Sequence, residues 1–485
     1  MNLLLPIDIP KRTLLRWFLL VLVIKTAWLV LFTLLRNPNW NPVLEVGSIG
    51  LYTGDSKTYY KPLEYLIQTG TYYGACRMPG LLPIYLPFRL FLSPVNAQQV
   101  IVIIQVIAES FSCIALAVLG ARIFNSAKVF SWILLLSCIT TFVTVRNIYL
   151  LSESFCIASL IFTLYFLSNY FISGQRKQIF FAGIFIAWAI FLRQICIVAL
   201  PILGLLIVVH HAKNYRQTLR ASLLLLLPLL VALCAWTIRN RITYQRTIIL
   251  TPSLEECMHD YTIEAASIRK LIITLGEDFQ PWSKNGGAYW FFVQPTEIEF
   301  PTPFNEYHYT GIMGHPELVR LRSDFRLIES DQLPEQAKDS LRNSVLERSN
   351  AYMESYKSEH WLAHLMGNKI KFAKMFLFPK RIDDLPFPPM SEMNLLQKGI
   401  KLWSLVSLWL VNALACIIAV WWLYKKQWSW LVWCILPMFF PAGLIYFGFI
   451  EQRYLATSFP FFLLMIAGCI SRLHFNKSSL SSADN

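Results

Sequence analysis

The sequence predicts an all-α polytopic membrane protein of about ten transmembrane helices, with interfacial helices and a polar insert on its outer face. Two observations carry that prediction. Of the 485 residues, 55% are hydrophobic and only 15% are charged, a balance that soluble globular domains do not reach. Apolar runs of the length that crosses a bilayer, about 20 residues at 1.5 Å rise each, also recur along the chain. The 34 Phe, 21 Tyr and 16 Trp fit the same class, because Trp and Tyr gather at membrane interfaces.

At the N-terminus, Lys11, Arg12 and Arg16 accompany an apolar run over 14–35. That run is too long for a signal-peptide core and lacks a small-residue cleavage site, so it reads as a retained first span. Further spans are expected at 97–122, 128–145, 149–171, 178–192, 195–210, 219–238, 401–424, 428–448 and 454–472. The stretch 178–210 is apolar apart from Arg193 and Gln194, and by length could be one helix or two. Charge decides for two. With the N-terminus inside, the short inner turns then hold Arg122 and Lys128, Arg176 and Lys177, Lys213, Arg216 and Arg220, Lys425 and Lys426, and Arg472 and Lys477, without an acid. A single span would push the later clusters outside, against the positive-inside bias. Much of the formal net charge of +14 is thereby explained by topology, and nucleic acid is not an expected partner.

Three regions follow: an N-terminal membrane module over 1–238 with seven spans and an outer loop at 36–96, an outer polar insert over 239–400, and a C-terminal membrane module of three spans over 401–485. In the outer loop, 57–69 and 80–92 pattern as short helices, the second suited to the lipid interface. The insert patterns as helix around 260–275 and 335–376, and 361–380 mixes aromatics with Lys369, Lys371, Lys374 and Lys380 like a helix resting on headgroups. Eight of the ten cysteines fall in apolar spans. Cys76 and Cys257 lie in loops and are the one pair that an oxidising compartment could bridge.

Asp55, in the outer loop, can be read in two ways. It precedes a plausible helix start and could serve as its N-cap, or it could act as a general base near the lipid surface. Basic and acidic groups converge on the same face: Arg77 in the same loop, Arg146 and Glu153 at the ends of spans, Arg193 in an outer turn, Arg239 and Arg241, then Glu451, Arg453 and Tyr454. Arginines often snorkel to headgroups, but so many on one face suit a lipid-linked phosphate. Deeper in, Lys25 and Glu109 fall about 16 and 18 Å along their spans from opposite sides, which sets them level as a structural ion pair. His210 and His211 sit at a cytoplasmic edge without further ligands and read as interfacial.

An ordered set of motifs carries a family resemblance: Gly54-Asp55-Ser56 with Tyr59-Tyr60 and Gly70-Thr71-Tyr72-Tyr73, then Arg77-Met78-Pro79-Gly80, Leu151-Ser152-Glu153, Phe191-Leu192-Arg193, Trp236-Thr237-Ile238-Arg239-Asn240, and Glu451-Gln452-Arg453-Tyr454 with Pro460. In this the chain resembles the GT-C glycosyltransferases, polytopic enzymes akin to protein O-mannosyltransferases and the lipid A aminoarabinose transferase, and above all their bacterial RgtA/B/C/D-like relatives. Residues 255–360 lie outside the resemblance.

The resemblance implies transfer of a sugar, with inversion, from a polyprenyl-phosphate donor to a lipid, glycan or protein acceptor on the periplasmic or lumenal face of a bacterial inner membrane. It implies Asp55 as base, Glu153 as a second acid that positions acceptor or cation, and Arg77, Arg193, Arg239 and Arg453 as donor-phosphate ligands. Tyr59, Tyr60, Glu451 and Tyr454 are substrate-binding candidates. No cofactor is demanded. A divalent cation is the one candidate, and Ser56, standing where many members have an acid, weakens it; Gln452, standing where many have Glu, leaves Glu451 open as a ligand. The alternative from another class is a transporter or flippase for an anionic lipid or solute, using the same arginines.

Overall fold

The fold is described from a computed structural model and covers residues 4, 7, 9–37, 49–74, 77–212, 214–251, 262–276, 286–295, 302, 304–330, 333–380, 382, 385–428, 430–433, 441–443 and 452–481. The cysteines Cys76 and Cys257, and Glu451, lie outside these residues. Regular structure among the described residues is helical, with isolated bridges only. The chain divides into two compact units, one built from Met1–Thr251, Pro379–Pro441 and Gln452–Asn485, the other mainly from Pro252–Phe378.

In chain order the first unit contributes α1 (Lys11–Leu34), the short α2 (Gly54–Thr69) and α3 (Leu82–Arg89), α4 (Pro94–Phe124), α5 (Ala127–Ile139), α6 (Glu153–Ser173), α7 (Arg176–Leu192), α8 (Ala199–His210) and α9 (Tyr215–Tyr244). The second unit contributes α10 (Ile263–Leu275), α11 (Gly287–Phe292), α12 (His315–Glu329), α13 (Glu335–Glu359) and α14 (Asn368–Leu377). The first then resumes with α15 (Leu395–Tyr424) and α16 (Phe459–Ser481). Among the described residues α1, α4, α6, α9 and α15 are long and apolar enough to cross a membrane, and α5, 194–210 and Phe459–Arg472 are shorter apolar helices. The protein is thus an integral membrane protein. The span expected over 428–448 lies mostly outside the described residues. The stretch 178–210 is two helices, broken at Arg193, where extended backbone (φ −149°) ends α7.

Helix α6 packs against α4 and α7, α7 against α9, α4 against α1 and α5, and α16 against α5 and α15. Small residues set the closest approaches, as elsewhere in membranes. A Cβ at Gly183 of α7 would overlap the Leu225 carbonyl of α9.

Helix α5 is shorter than the span expected over 128–145, and its end explains why. It stops at Ile139, and the chain continues through extended Thr140 into a 3-10 turn at Thr144–Ile148. A helix leaves its last carbonyls unpaired, and in an apolar interior each must find a donor. Here Thr140 Oγ1 donates to Leu136 O (2.9 Å), Lys25 Nζ to Ser137 O (2.7 Å), Trp28 Nε1 to Cys138 O (3.3 Å) and Trp403 Nε1 to Ile139 O (3.1 Å). Side chains from α1 and α15 therefore cap α5 within the bundle.

The second unit has its own core of Ile268, Leu271, Leu275, Trp290, Phe291, Phe325, Val345, Tyr352 and Tyr356. It is narrower than 239–400, because α9 continues to Tyr244 and α15 has already begun at Leu395. The region patterned as helix over 335–376 is α13, a π-helical turn at Ala363–Gly367 and α14. Phe372 and Phe376 of α14 are buried, while Trp361, Leu362, Leu365, Met366 and Ile370 are exposed.

Candidate active site

The loop after α1 starts α2 with a capping arrangement that does not use Asp55. Thr53 is the N-cap, and its backbone N–H donates to Ser56 Oγ at 2.9 Å, the Ser56 half of a capping box. The N-cap reading of Asp55 is therefore corrected: the carboxylate stands in the first turn, where the helix dipole favours an acid. Its side chain is left free to face the arginines.

Asp55 Oδ2 pairs with Arg453 Nη1, which also approaches Glu153 Oε1 at 3.9 Å. Glu153 Oε1 in turn pairs with Arg193 Nη2, and Arg193 Nε donates to Ser152 Oγ at 3.2 Å. Both guanidiniums lie over the Tyr454 ring, Arg193 at 5.0 Å and Arg453 at 5.6 Å. The result is an alternating row, Asp55, Arg453, Glu153, Arg193, assembled from the starts of α2 and α6, the end of α7 and the 3-10 turn at Gln452–Thr457. Burial grades along it: the Asp55 side chain is 29% exposed and that of Glu153 1%. Among the described residues Glu153 Oε2 has no hydrogen-bond partner. Burial works to raise the Asp55 carboxyl, but Arg453, then Arg77 and Arg193, outweigh it and hold the group below the ordinary carboxylate value.

A second chain of contacts leads from this row to an apolar groove. Ser152 Oγ donates to Tyr59 Oη (2.9 Å), Arg77 lies over the Tyr59 ring (4.7 Å) with its Nε donating to Thr58 Oγ1 (3.1 Å), and Tyr72 Oη donates to Arg77 O (2.9 Å). Beyond Tyr72 opens a groove of about 350 Å³ lined by Pro79, Leu82, Phe191, Ala232, Ala235 and Trp236, with Arg239 beside it. Arg239 is ringed by Tyr72 (5.2 Å), Trp236 (4.9 Å) and Tyr244 (5.1 Å). Its Nη1 donates to Asn240 Oδ1 at 2.7 Å, whereas its buried Nη2 has no partner among the described residues. Gly80 is required where the Arg77 loop meets α7: a Cβ there would overlap the Phe191 backbone, and Trp188 Nε1 donates to Gly80 O at 2.8 Å.

Below the charged row lies a buried polar frame. Lys25 Nζ stands 2.7 Å from Glu109 Oε1 and 2.5 Å from Thr144 Oγ1. Thr144 Oγ1 donates to Glu109 Oε1 at 3.0 Å, and Asn147 Nδ2 donates to Glu109 Oε2. One helical turn earlier on α4, Gln105 Nε2 donates to Asn147 O (2.8 Å) and Tyr149 O (3.0 Å). On the other edge of the same segment, Leu51 N donates to Ile148 O (2.7 Å) and Leu150 N to Leu51 O (3.0 Å).

The residues expected to converge do so unequally. Asp55, Glu153, Arg193, Arg453 and Tyr454 meet directly, and Arg77, Tyr59 and Arg239 join through Tyr72 and Ser152. Arg193 and Arg453, expected on the donor phosphate, already face carboxylates. Tyr60 points the other way, enclosed at 1% exposure with its ring 5.0 Å from Tyr85. Arg146 is buried over Phe142 at 5.3 Å, and Arg241 Nη1 donates to Gln245 O at 3.3 Å. At the far end of the bundle His211 Nε2 meets Tyr170 Oη at 3.0 Å and His210 stacks on Phe171 at 4.2 Å. Thr58, Gln105 and Asn147 carry no sequence expectation, and Tyr72 and Ser152 stand in the motifs without a role of their own. The available signal was a polar residue inside an apolar run, as Gln105 is one turn before Glu109.

The helical bundle thus sets a row of carboxylates and arginines at the starts and ends of its helices and connects it through Tyr59, Arg77 and Tyr72 to an apolar groove. Residues 84–237, under half of the chain, match the family model of dolichyl-phosphate-mannose-protein mannosyltransferases, a GT-C family, and the match indicates glycosyltransferase activity. The matched region contains Glu109, Glu153, Arg193 and Trp236, while Asp55, Arg77, Arg239 and Arg453 lie outside it. No curated protein matches the chain.

Proposed function

We propose that the chain is an inverting glycosyltransferase that moves a sugar from a polyprenyl-phosphate donor to a lipid, glycan or protein acceptor on the outer face of a bacterial inner membrane. The observation that carries this reading is the continuous path of contacts from the apolar groove through Arg239, Tyr72, Arg77 and Tyr59 to the row that ends at Asp55. A polyprenyl tail fits the groove's apolar lining, and its phosphate suits Arg239, whose buried Nη2 has no acceptor among the described residues. Arg77 is the next guanidinium toward Asp55. Arg453 and Arg193 complete a positive field that stabilises the departing phosphate.

The chemistry follows from charge. Asp55 is an anion at neutral pH and accepts the proton of an acceptor hydroxyl as its oxygen attacks the anomeric carbon. The bond from that carbon to the phosphate oxygen breaks on the opposite face, which inverts the centre, and the lipid phosphate leaves with the electron pair. Glu153 holds Arg193 and Arg453 in place, and its Oε2, without a partner among the described residues, can take an acceptor hydroxyl. Both carboxylates face guanidiniums, an arrangement better suited to an anionic leaving group than to a divalent cation. In the second unit, the exposed Trp361, Leu362, Leu365, Met366 and Ile370 beside lysines suit contact with lipid headgroups. The test is lipid and glycan profiling of a deletion strain. One glycoconjugate should lose one sugar while the lipid-linked donor accumulates, and an unchanged profile would remove the proposal.

A further inference from the structure

We infer that Gln105 is a positioning residue for sugar transfer: its amide fixes the backbone segment from which both site carboxylates are hung. Glycosyl transfer at Asp55 and Glu153 is the reading on which this rests.

The segment after α5 is irregular and enclosed, so each of its carbonyls needs a donor. Where the 3-10 turn at Thr144–Ile148 runs out into extended Tyr149, the acceptors alternate between two sides. The carbonyls of Asn147 and Tyr149 face Gln105 Nε2 at 2.8 and 3.0 Å, while that of Ile148 faces Leu51 N at 2.7 Å. The bridge between Leu51 and Tyr149 is parallel. Asp55 follows one of its partners by four residues and Glu153 follows the other by four, so a shift of this segment moves both acids together.

The side chain is unusual for its place. Gln105 is fully buried in a stretch of α4, 100–108, that is otherwise apolar. Among the described residues neither its Oε1 nor Asn147 Oδ1 has a hydrogen-bond partner. A leucine or methionine would fill the volume without the unpaired Oε1, but would take this donor away from two buried carbonyls. What only the amide supplies is two N–H groups aimed at two carbonyls on the same edge. Glu109, one turn further along α4, fixes the same segment through Thr144 and Asn147. Gln105 lies above it, next to the bridge.

The experiment uses full-length protein in membranes of the deletion strain. That strain's own lipid extract, rich in unused donor, is titrated as the donor source, and product is counted per folded molecule. Gln105→Met should lower the limiting rate on the order of 10²-fold, the scale expected when reacting groups shift by about 1 Å, with the half-saturating amount of extract unchanged. Gln105→Glu, neutral when buried and able to donate to one carbonyl, should fall between it and wild type, and it carries the test should Gln105→Met fail to accumulate. Asn169→Ala, which removes a contact to Arg122 at the other end of the bundle, should leave the limiting rate per folded molecule intact. Wild-type limiting rates in the Gln105 variants that accumulate would overturn the inference. Loss of transfer in Asp55→Asn alongside such rates would sink the positioning role alone, whereas full transfer in Asp55→Asn would sink the catalytic reading beneath it.

Discussion

Arg453 Nη1 contacts Asp55 Oδ2 and lies 3.9 Å from Glu153 Oε1, so one guanidinium ties together two acids that are far apart in sequence. It also dominates the attraction that holds the Asp55 carboxyl below its ordinary value. A depressed carboxylate favours the folded, paired state above the unfolded value and loses that contribution as pH falls through the folded one. Transfer should therefore keep its rate down to pH values below the ordinary carboxylate range. Arg453→Gln should move the acid limb of the rate profile upward, and an unmoved limb would separate Asp55 from that limb.

Among the described residues Arg239 is surrounded by the rings of Tyr72, Trp236 and Tyr244. Arg239→Ala should raise the half-saturating donor concentration by about 10- to 100-fold, the worth of roughly 1.5–3 kcal/mol for a hydrogen bond to a charged group. The limiting rate should change much less. Donor titration checks this, and an equal fall in limiting rate with unchanged saturation would instead move Arg239 into the chemical step.

The cap of α2 and the proposed base are adjacent but separable. Ser56→Ala removes the acceptor for Thr53 N–H and should lower stability by about 1 kcal/mol. Product formed per folded molecule should stay within a few-fold of wild type, as measured by melting and product assay on the same preparation.

Lys25 serves three partners, the Glu109 carboxylate, the Thr144 hydroxyl and the Ser137 carbonyl at the end of α5. Lys25→Met leaves Glu109 as a buried uncompensated charge, a loss of roughly 3–5 kcal/mol. Adding Glu109→Gln should recover part of that stability, and thermal melting of the single and double variants measures the coupling. No recovery would dissolve the pair.

How much of this was legible in the sequence differs by element. The long apolar helices, the break at Arg193 and the level placement of Lys25 and Glu109 follow from hydropathy, charge and a fixed rise per residue, all local quantities. The premature end of α5 was not legible, because its carbonyls are capped by Lys25, Trp28 and Trp403, which come from other helices. Within the site, motif order brought the arginines to notice, but not which of them an acid already occupies. That depends on whether Arg453 packs against the start of α2, a relation between distant segments that no local pattern encodes. Gln105 was visible as a polar residue among apolar ones, yet its partners are backbone carbonyls at the turn expected between two spans, and no pattern of side chains marks which carbonyl an amide will meet.

The central claim is that Asp55 takes the proton of the acceptor. Product formation by Asp55→Asn, measured in membranes alongside donor binding and melting temperature, tests it most directly. The predicted result is loss of product with donor binding and folding nearly intact, and wild-type product per folded molecule would contradict the account.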